Sequence, residues 1–219
     1  MGQYYMAYVE NGDGASVFCP QNAVYMAKNG IKSAKDIGKH DWSFEDPNGW
    51  GYNFSGLKLT EHSWVENSFV NGVIEAICDN PSRVAWVGDY ADDQSDFNER
   101  YTKQVYEAVW RTEDCELPFD EIPTTHTDGY ILNFDKGLYI DLGKYVEMAG
   151  FTPTWDSRTW TIHPLPILTS IGNGRGGGDY SGTNMEMVGA WAMDTVAFTE
   201  EQPNILDEVD YARFLFIEG

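Results

Sequence analysis

The chain has 219 residues, 42% hydrophobic and 15% aromatic, so it is expected to bury a substantial core without staples and to form a single domain over residues 1–219. Its 14 lysines and arginines stand against 35 aspartates and glutamates, a formal net charge of −21, and the resulting field repels DNA, RNA and anionic membrane surfaces. That argues against direct nucleic-acid or membrane binding and leaves two readings of the acidity: a solubility device, or a surface that docks a basic partner as a nucleic-acid mimic would.

In chain order, "QYYMAYVE" and "ASVFCP" flank "NGDG", whose Asn-Gly and Asp-Gly steps predict a β-hairpin. "AVYMAKNG" fits a short helix stopped by Gly30, and "EDPNGWG" is turn chemistry. From Ser63, the residues Val65, Phe69, Val70, Val73, Ile74 and Ile77 fall at helical spacing, and Ser63 with Glu66 makes a capping box, so a helix is predicted from there to about Asn80-Pro81. "RVAWV" reads as a buried strand and "GDYADD" as the loop leaving it. A second helix, "NERYTKQVYEAVWR", is expected to pack beside the first. "YILNF" and "LYID" around "DKG" form a second hairpin, and Asp141 caps "LGKYVEMAG", which Gly150 closes. "WTI", "PILTSI" and "AWAMDTVAF" are further strand candidates, before the acidic "TEEQPNILDEVD" and a final "YARFLFI". Strands in hairpins with two or three helices predict an α+β fold with a mainly antiparallel sheet.

Cys19, Cys78 and Cys115 are odd in number, widely spaced and in no C-x-x-C pair, which points to a reducing compartment. "MGQYYMAYVE" lacks the basic-then-apolar pattern of a secretory signal, Met6 stands where the myristoylation pattern needs Ser or Thr, and no apolar run approaches the roughly 20 residues that span a bilayer. A cytoplasmic protein is expected.

"SIGNGRGGGDY", residues 170–180, satisfies G-x-G-x-x-G, but more turn chemistry follows it rather than a helix, so neither a dinucleotide fingerprint nor a Walker loop is implied. A segment of Asn173, Gly174, Arg175, Gly176 and Gly177 running to Asp179 can instead present bare backbone amides as an anion nest, with the Arg175 guanidinium as a forked donor. The alternative is a hairpin tip in which Arg175 pairs with Asp179 or meets water.

"TEHSW" offers His62 and Trp64 to hydrogen-bond and stack on a heterocycle, or equally as cap and core. "GDYADD" offers Asp89 and Tyr90 in a loop after a buried strand, where Asp89 can take ribose hydroxyls and where Asp89 with Asp92 is the alternative of a metal-dependent enzyme. His40, His62, His126 and His163 form no zinc pattern, no G-x-S-x-G elbow is present, and no cofactor or metal site is predicted.

Four segments, "MGQYY" at 1–5, "GLKLTEHSW" at 56–64, "RVAWVGDYAD" at 83–92 and "HPLPILTSIGNGRGGGDY" at 163–180, resemble a family of functionally uncharacterised phage and bacterial proteins. The resemblance brings no established activity. It implies a phage counter-defence role in the host cytosol, such as a sponge for a nucleotide immune signal. The expectation is therefore binding, with possible homo-oligomerisation, of an anionic small molecule by Arg175 and its glycines, with Trp64 or a nearby aromatic on the base and Asp89 on the ribose. The alternative is an acidic inhibitor of a nucleic-acid enzyme.

Overall fold

The structure, a computed structural model, describes residues 3–20, 58–91, 99–111, 116–148, 152–153, 159–172 and 186–214. Strands β1 (Tyr5–Asn11) and β2 (Gly14–Phe18) form the expected antiparallel hairpin around Gly12 and Asp13, with the Asp13 amide donating to Asn11 Oδ1 at 2.9 Å. Helices α1 (Leu59–His62) and α2 (Ser68–Ala76) lead into β3 (Ser82–Gly88), and α3 (Glu99–Trp110) follows. Next come the second hairpin, β4 (Tyr130–Asn133) and β5 (Leu138–Asp141), and α4 (Leu142–Met148), whose Lys144 amide donates to Asp141 Oδ1 at 2.9 Å as the cap predicted. Gly150 lies outside the described residues. Two-residue strands β6 (Thr152–Pro153) and β7 (Thr159–Trp160) pair with each other. The described chain ends with α5 (Pro164–Leu168), β8 (Ser170–Ile171), β9 (Thr195–Thr199), β10 (Asp207–Glu208) and α6 (Tyr211–Phe214).

Eight strands form one sheet in the order β10-β5-β4-β9-β3-β1-β2, with β8 also alongside β3. Of the pairs between named strands in this sheet, β3/β8 and β5/β10 are parallel and the rest antiparallel; the fold is α+β with a mainly antiparallel sheet. Strand β3 has two neighbours on one side: β9 beside Ser82 and Arg83, then β8 beside Trp86 and Val87, with the Met193 amide bonded to the Val84 carbonyl between them.

The pleat explains the layers. Tyr5, Ala7, Val9, Val84 and Trp86 point to one face, where Phe69, Val73 and Ile74 of α2 cover them. Met6, Tyr8, Ala85 and Val87 point to the other, where Val105 and Val109 of α3 cover them. The expectation that α3 packs beside α2 is thereby corrected: strands apolar on both faces need a helix on each.

Three further expectations are corrected. Helix α2 starts at Ser68, capped by Asn67, whose Oδ1 accepts from the Phe69 and Val70 amides at 2.8 and 3.4 Å; Ser63 instead closes α1, its amide donating to the Leu59 carbonyl. "PILTSI" is mostly helix, because Pro164 suits a first turn and His163 Nδ1 accepts from the Leu165 amide at 3.2 Å, leaving only Ser170–Ile171 extended. "AWAMDTVAF" is strand only from Thr195, since Gly189 (φ 72°) and Met193 (φ 63°) fold the preceding residues into turns. The two or three helices expected become six among the described residues, three of them only four or five residues long. Cys19 is disulfide-bonded and Cys78 is an exposed free thiol, so the three cysteines do not support the expected reducing compartment. No helix among the described residues is long and apolar enough to cross a membrane.

Candidate functional site

His62 ends α1 with no solvent exposure. Its Nδ1–H donates to the Lys58 carbonyl at 2.8 Å, and its Nε2 accepts from the Trp86 indole N–H at 3.0 Å. Burial pushes its pKa down to about 3, so the ring is neutral and this tautomer satisfies both nitrogens. Edge contacts run from His62 to Phe69 (5.4 Å between centroids) and from Phe69 to Trp86 (6.0 Å). The ring is thus a polar strut behind β3, and the ligand role expected for it is corrected: neither nitrogen is left for a guest. Trp64 is partly exposed and forms a backbone bridge with Ile162.

A different set of residues meets at the carboxyl ends of β3 and β8. Because these strands are parallel, with Trp86 opposite Ser170 and Val87 opposite Ile171, Gly88 and Gly172 leave the sheet side by side. Antiparallel pairing would have sent the following loops to opposite ends. The antiparallel neighbour β1 starts at the same end, with Tyr5 opposite Gly88. The beginning of "GDYAD", the root of the glycine loop and "QYY" therefore share one edge.

Asp89 is tied down there. Its amide donates to the Tyr4 carbonyl at 2.9 Å, its Oδ1 accepts from the Tyr4 amide at 3.1 Å, and the Tyr106 hydroxyl of α3 donates to its carbonyl at 3.2 Å. Asp89 and Tyr90 both remain partly exposed.

Gln3 fills the space between the two glycines. Its side chain is fully buried, and Oε1 accepts from the Tyr5 hydroxyl at 3.1 Å. A Cβ added at Gly88 would fall 2.2 Å from Gln3 Nε2, and one added at Gly172 would fall 2.2 Å from the Tyr5 hydroxyl and 3.0 Å from Gln3 Oε1. Both glycines are thus required by close approach. Gln3 Nε2 is buried and has no hydrogen-bond partner.

Asn173, Gly174, Arg175, Gly176, Gly177 and Asp179 lie outside the described residues, as does Asp92; Gly172, where their loop begins, is within them. No group of three or more His, Cys, Asp or Glu is placed to hold a metal ion among the described residues. A groove of about 240 Å³ lies at the far end of β1, lined by Val9, Asn11, Asp13, Ser16, Phe18 and Ala76 among others, and includes none of the candidate residues.

Two buried polar residues were not anticipated as special. Gln3 looked like an ordinary residue before a strand; its signal would have been a polar side chain facing two glycines at strand ends. His163 has no exposure, is the N-cap of α5 and has an unpartnered Nε2, and burial with the neighbouring His126 pushes its pKa down to about 3. Comparison with family models, with curated proteins and with solved structures returned no match.

Proposed function

We propose that the chain binds an anionic small molecule of the nucleotide class at the carboxyl ends of β3 and β8. The observation that carries this reading is the convergence of Gly88-Asp89 and Gly172 over Gln3–Tyr5. In this reading the backbone amides of Asn173, Gly174, Gly176 and Gly177, with Arg175, hold phosphate; Asp89 accepts from ribose hydroxyls; and Tyr90 or another nearby aromatic stacks on the base. Binding without turnover makes the protein a sequestering agent, the role that the resemblance to phage proteins also suggests.

The test is thermal stability of the full chain against AMP, GMP, ADP-ribose, cyclic di-GMP and inorganic pyrophosphate, with mass spectrometry of any small molecule released on denaturation. A ligand at 100 times its Kd stabilises the native state by about 2.7 kcal/mol. Arg175→Ala is expected to weaken binding by roughly 1.5–3 kcal/mol, the worth of a charge-assisted hydrogen bond. A flat panel with nothing released contradicts the reading.

One observation favours a second reading, docking of a basic protein. Ile205 is 89% exposed in the segment 200–210, where Glu200, Glu201, Asp207, Glu208 and Asp210 are all exposed. That reading predicts association that weakens steeply with salt and responds to these carboxylates rather than to Arg175.

A further inference from the structure

We infer that Asn11-Gly12, at the tip of the β1–β2 hairpin, is a site of spontaneous backbone modification, where the Asn11 carboxamide is lost through a succinimide to leave aspartate or isoaspartate. The inference stands apart from the binding reading, since Asn11 lies at the opposite end of β1 from Tyr5. Asparagine followed by glycine is reactive in this way because no side chain on the second residue shields its amide nitrogen from the Cγ of the first. Among the described residues the chain has two such steps, Asn11-Gly12 and Asn71-Gly72, and the fold treats them oppositely.

Asn11 closes β1 opposite Gly14 and is partly exposed, and Gly12, Asp13 and Gly14 are exposed. Nothing lies within 4 Å of a Cβ built on Gly12, so the turn has room to bring the Gly12 nitrogen onto Cγ. Asn11 Oδ1 already accepts from the Asp13 amide at 2.9 Å, which draws electron density from Cγ and makes it a better electrophile. Asn71 is the reverse case. It is 1% exposed, its Nδ2 donates to the Val65 and Asn67 carbonyls at 2.8 Å each, and its Oδ1 accepts from the His126 amide at 2.6 Å. Gly72 lies inside α2, where its amide belongs to the helical ladder, and a Cβ added there would collide with Phe119 and Pro118. Reaction at Asn71 therefore waits for α2 to open, whereas reaction at Asn11 needs only motion within an exposed turn.

In the first step the Gly12 nitrogen loses its proton to a solvent base and bonds to Asn11 Cγ; the Cγ–Nδ2 bond breaks, and Nδ2 takes up a proton and leaves as ammonia. One water then opens the ring. Cleavage of the new Cγ–N bond gives aspartate, and cleavage of the bond from that nitrogen to the Asn11 backbone carbonyl carbon gives isoaspartate, whose main chain runs through Cγ. Neither an oxidant nor a metal is needed. Either product adds a negative charge beside Asp13 on the groove that both residues line, and isoaspartate also inserts a methylene next to the pairs Asn11–Gly14 and Glu10–Ala15 that set the hairpin register.

The test is peptide mass spectrometry of the full chain aged at mildly alkaline pH, native and in urea, with electron-transfer fragmentation to separate isoaspartate from aspartate. In the native chain residue 11 is expected to exchange NH2 for OH about tenfold or more faster than residue 71, and in urea the two rates should come within about threefold of each other. Gly12→Ala, whose added carbon meets nothing, should slow residue 11 about tenfold and leave residue 71 unchanged. The inference is overturned if residue 11 is no faster than residue 71 in the native chain, if the gap between them persists in urea, if Gly12→Ala reacts at the wild-type rate, or if the product at residue 11 contains no isoaspartate.

Discussion

The His62–Trp86 pair and the Gln3–Tyr5 pair are both buried polar contacts against β3, yet they end differently. Behind the strand, every polar atom of His62 is used: one ring nitrogen donates to Lys58 and the other accepts from Trp86. At the strand's carboxyl end, Gln3 uses its oxygen and leaves its nitrogen unpartnered. A satisfied network rigidifies a core, whereas a buried donor without a partner is an exception among native polar groups. Residue type does not separate the two cases: the sequence marked His62 as a ligand candidate and Gln3 as an ordinary residue before a strand. Hydrogen-bond completeness does.

Breaking the closed region should cost the most. Trp86→Ala removes a fully buried indole and strands His62 Nε2, so a loss of about 3–5 kcal/mol is expected in urea unfolding. A loss below about 1 kcal/mol would mean that the pair is not part of the core as described.

Acid is expected to attack the same layer. His62 and His163 are held near pKa 3, well below the ordinary 6.5. The unfolded chain therefore takes up protons first. Their stabilisation is complete above pH 6.5, falls by up to about 1.4 kcal/mol per pH unit for each histidine as the pH drops towards 3, and changes no further below that. Stability measured from pH 7.5 to 4 checks this slope, and a flat profile between pH 6.5 and 4 would contradict it.

The open region is sharpened by its glycines. Gly88→Ala and Gly172→Ala place a methyl 2.2 Å from Gln3 Nε2 and the Tyr5 hydroxyl, so each should cost about 1–3 kcal/mol through overpacking. Gly12→Ala, with nothing within 4 Å of the added carbon, should be near neutral in the same melt. Asn67→Ala, which removes the α2 cap, should cost about 1 kcal/mol; no change would return the cap to Ser63.

Much of the fold was legible. Both hairpins, the strand "RVAWV", helices α2 and α3 and the Asp141 cap follow from turn residues and local periodicity, which act over a few positions. What failed were decisions made by tertiary packing. The apolar spacing of α3 gives its buried face but not which face of the sheet it covers. An apolar run such as "PILTSI" has no period that separates strand from buried helix, and His163 with Pro164 settled it as helix. In the site, "GDYAD" was legible as a loop after a buried strand. That β8 lies parallel to β3, and so brings Gly172 to Gly88, depends on a pairing across more than 80 residues that no local pattern encodes.

The most direct measurement is a backbone amide NMR titration of the full chain with GMP and inorganic pyrophosphate. The account predicts saturable shifts concentrated at Gln3, Gly88, Asp89 and Gly172, with Lys58, His62 and Trp86 little changed. Shifts centred on His62 and Trp64, or none anywhere at millimolar probe, would contradict it.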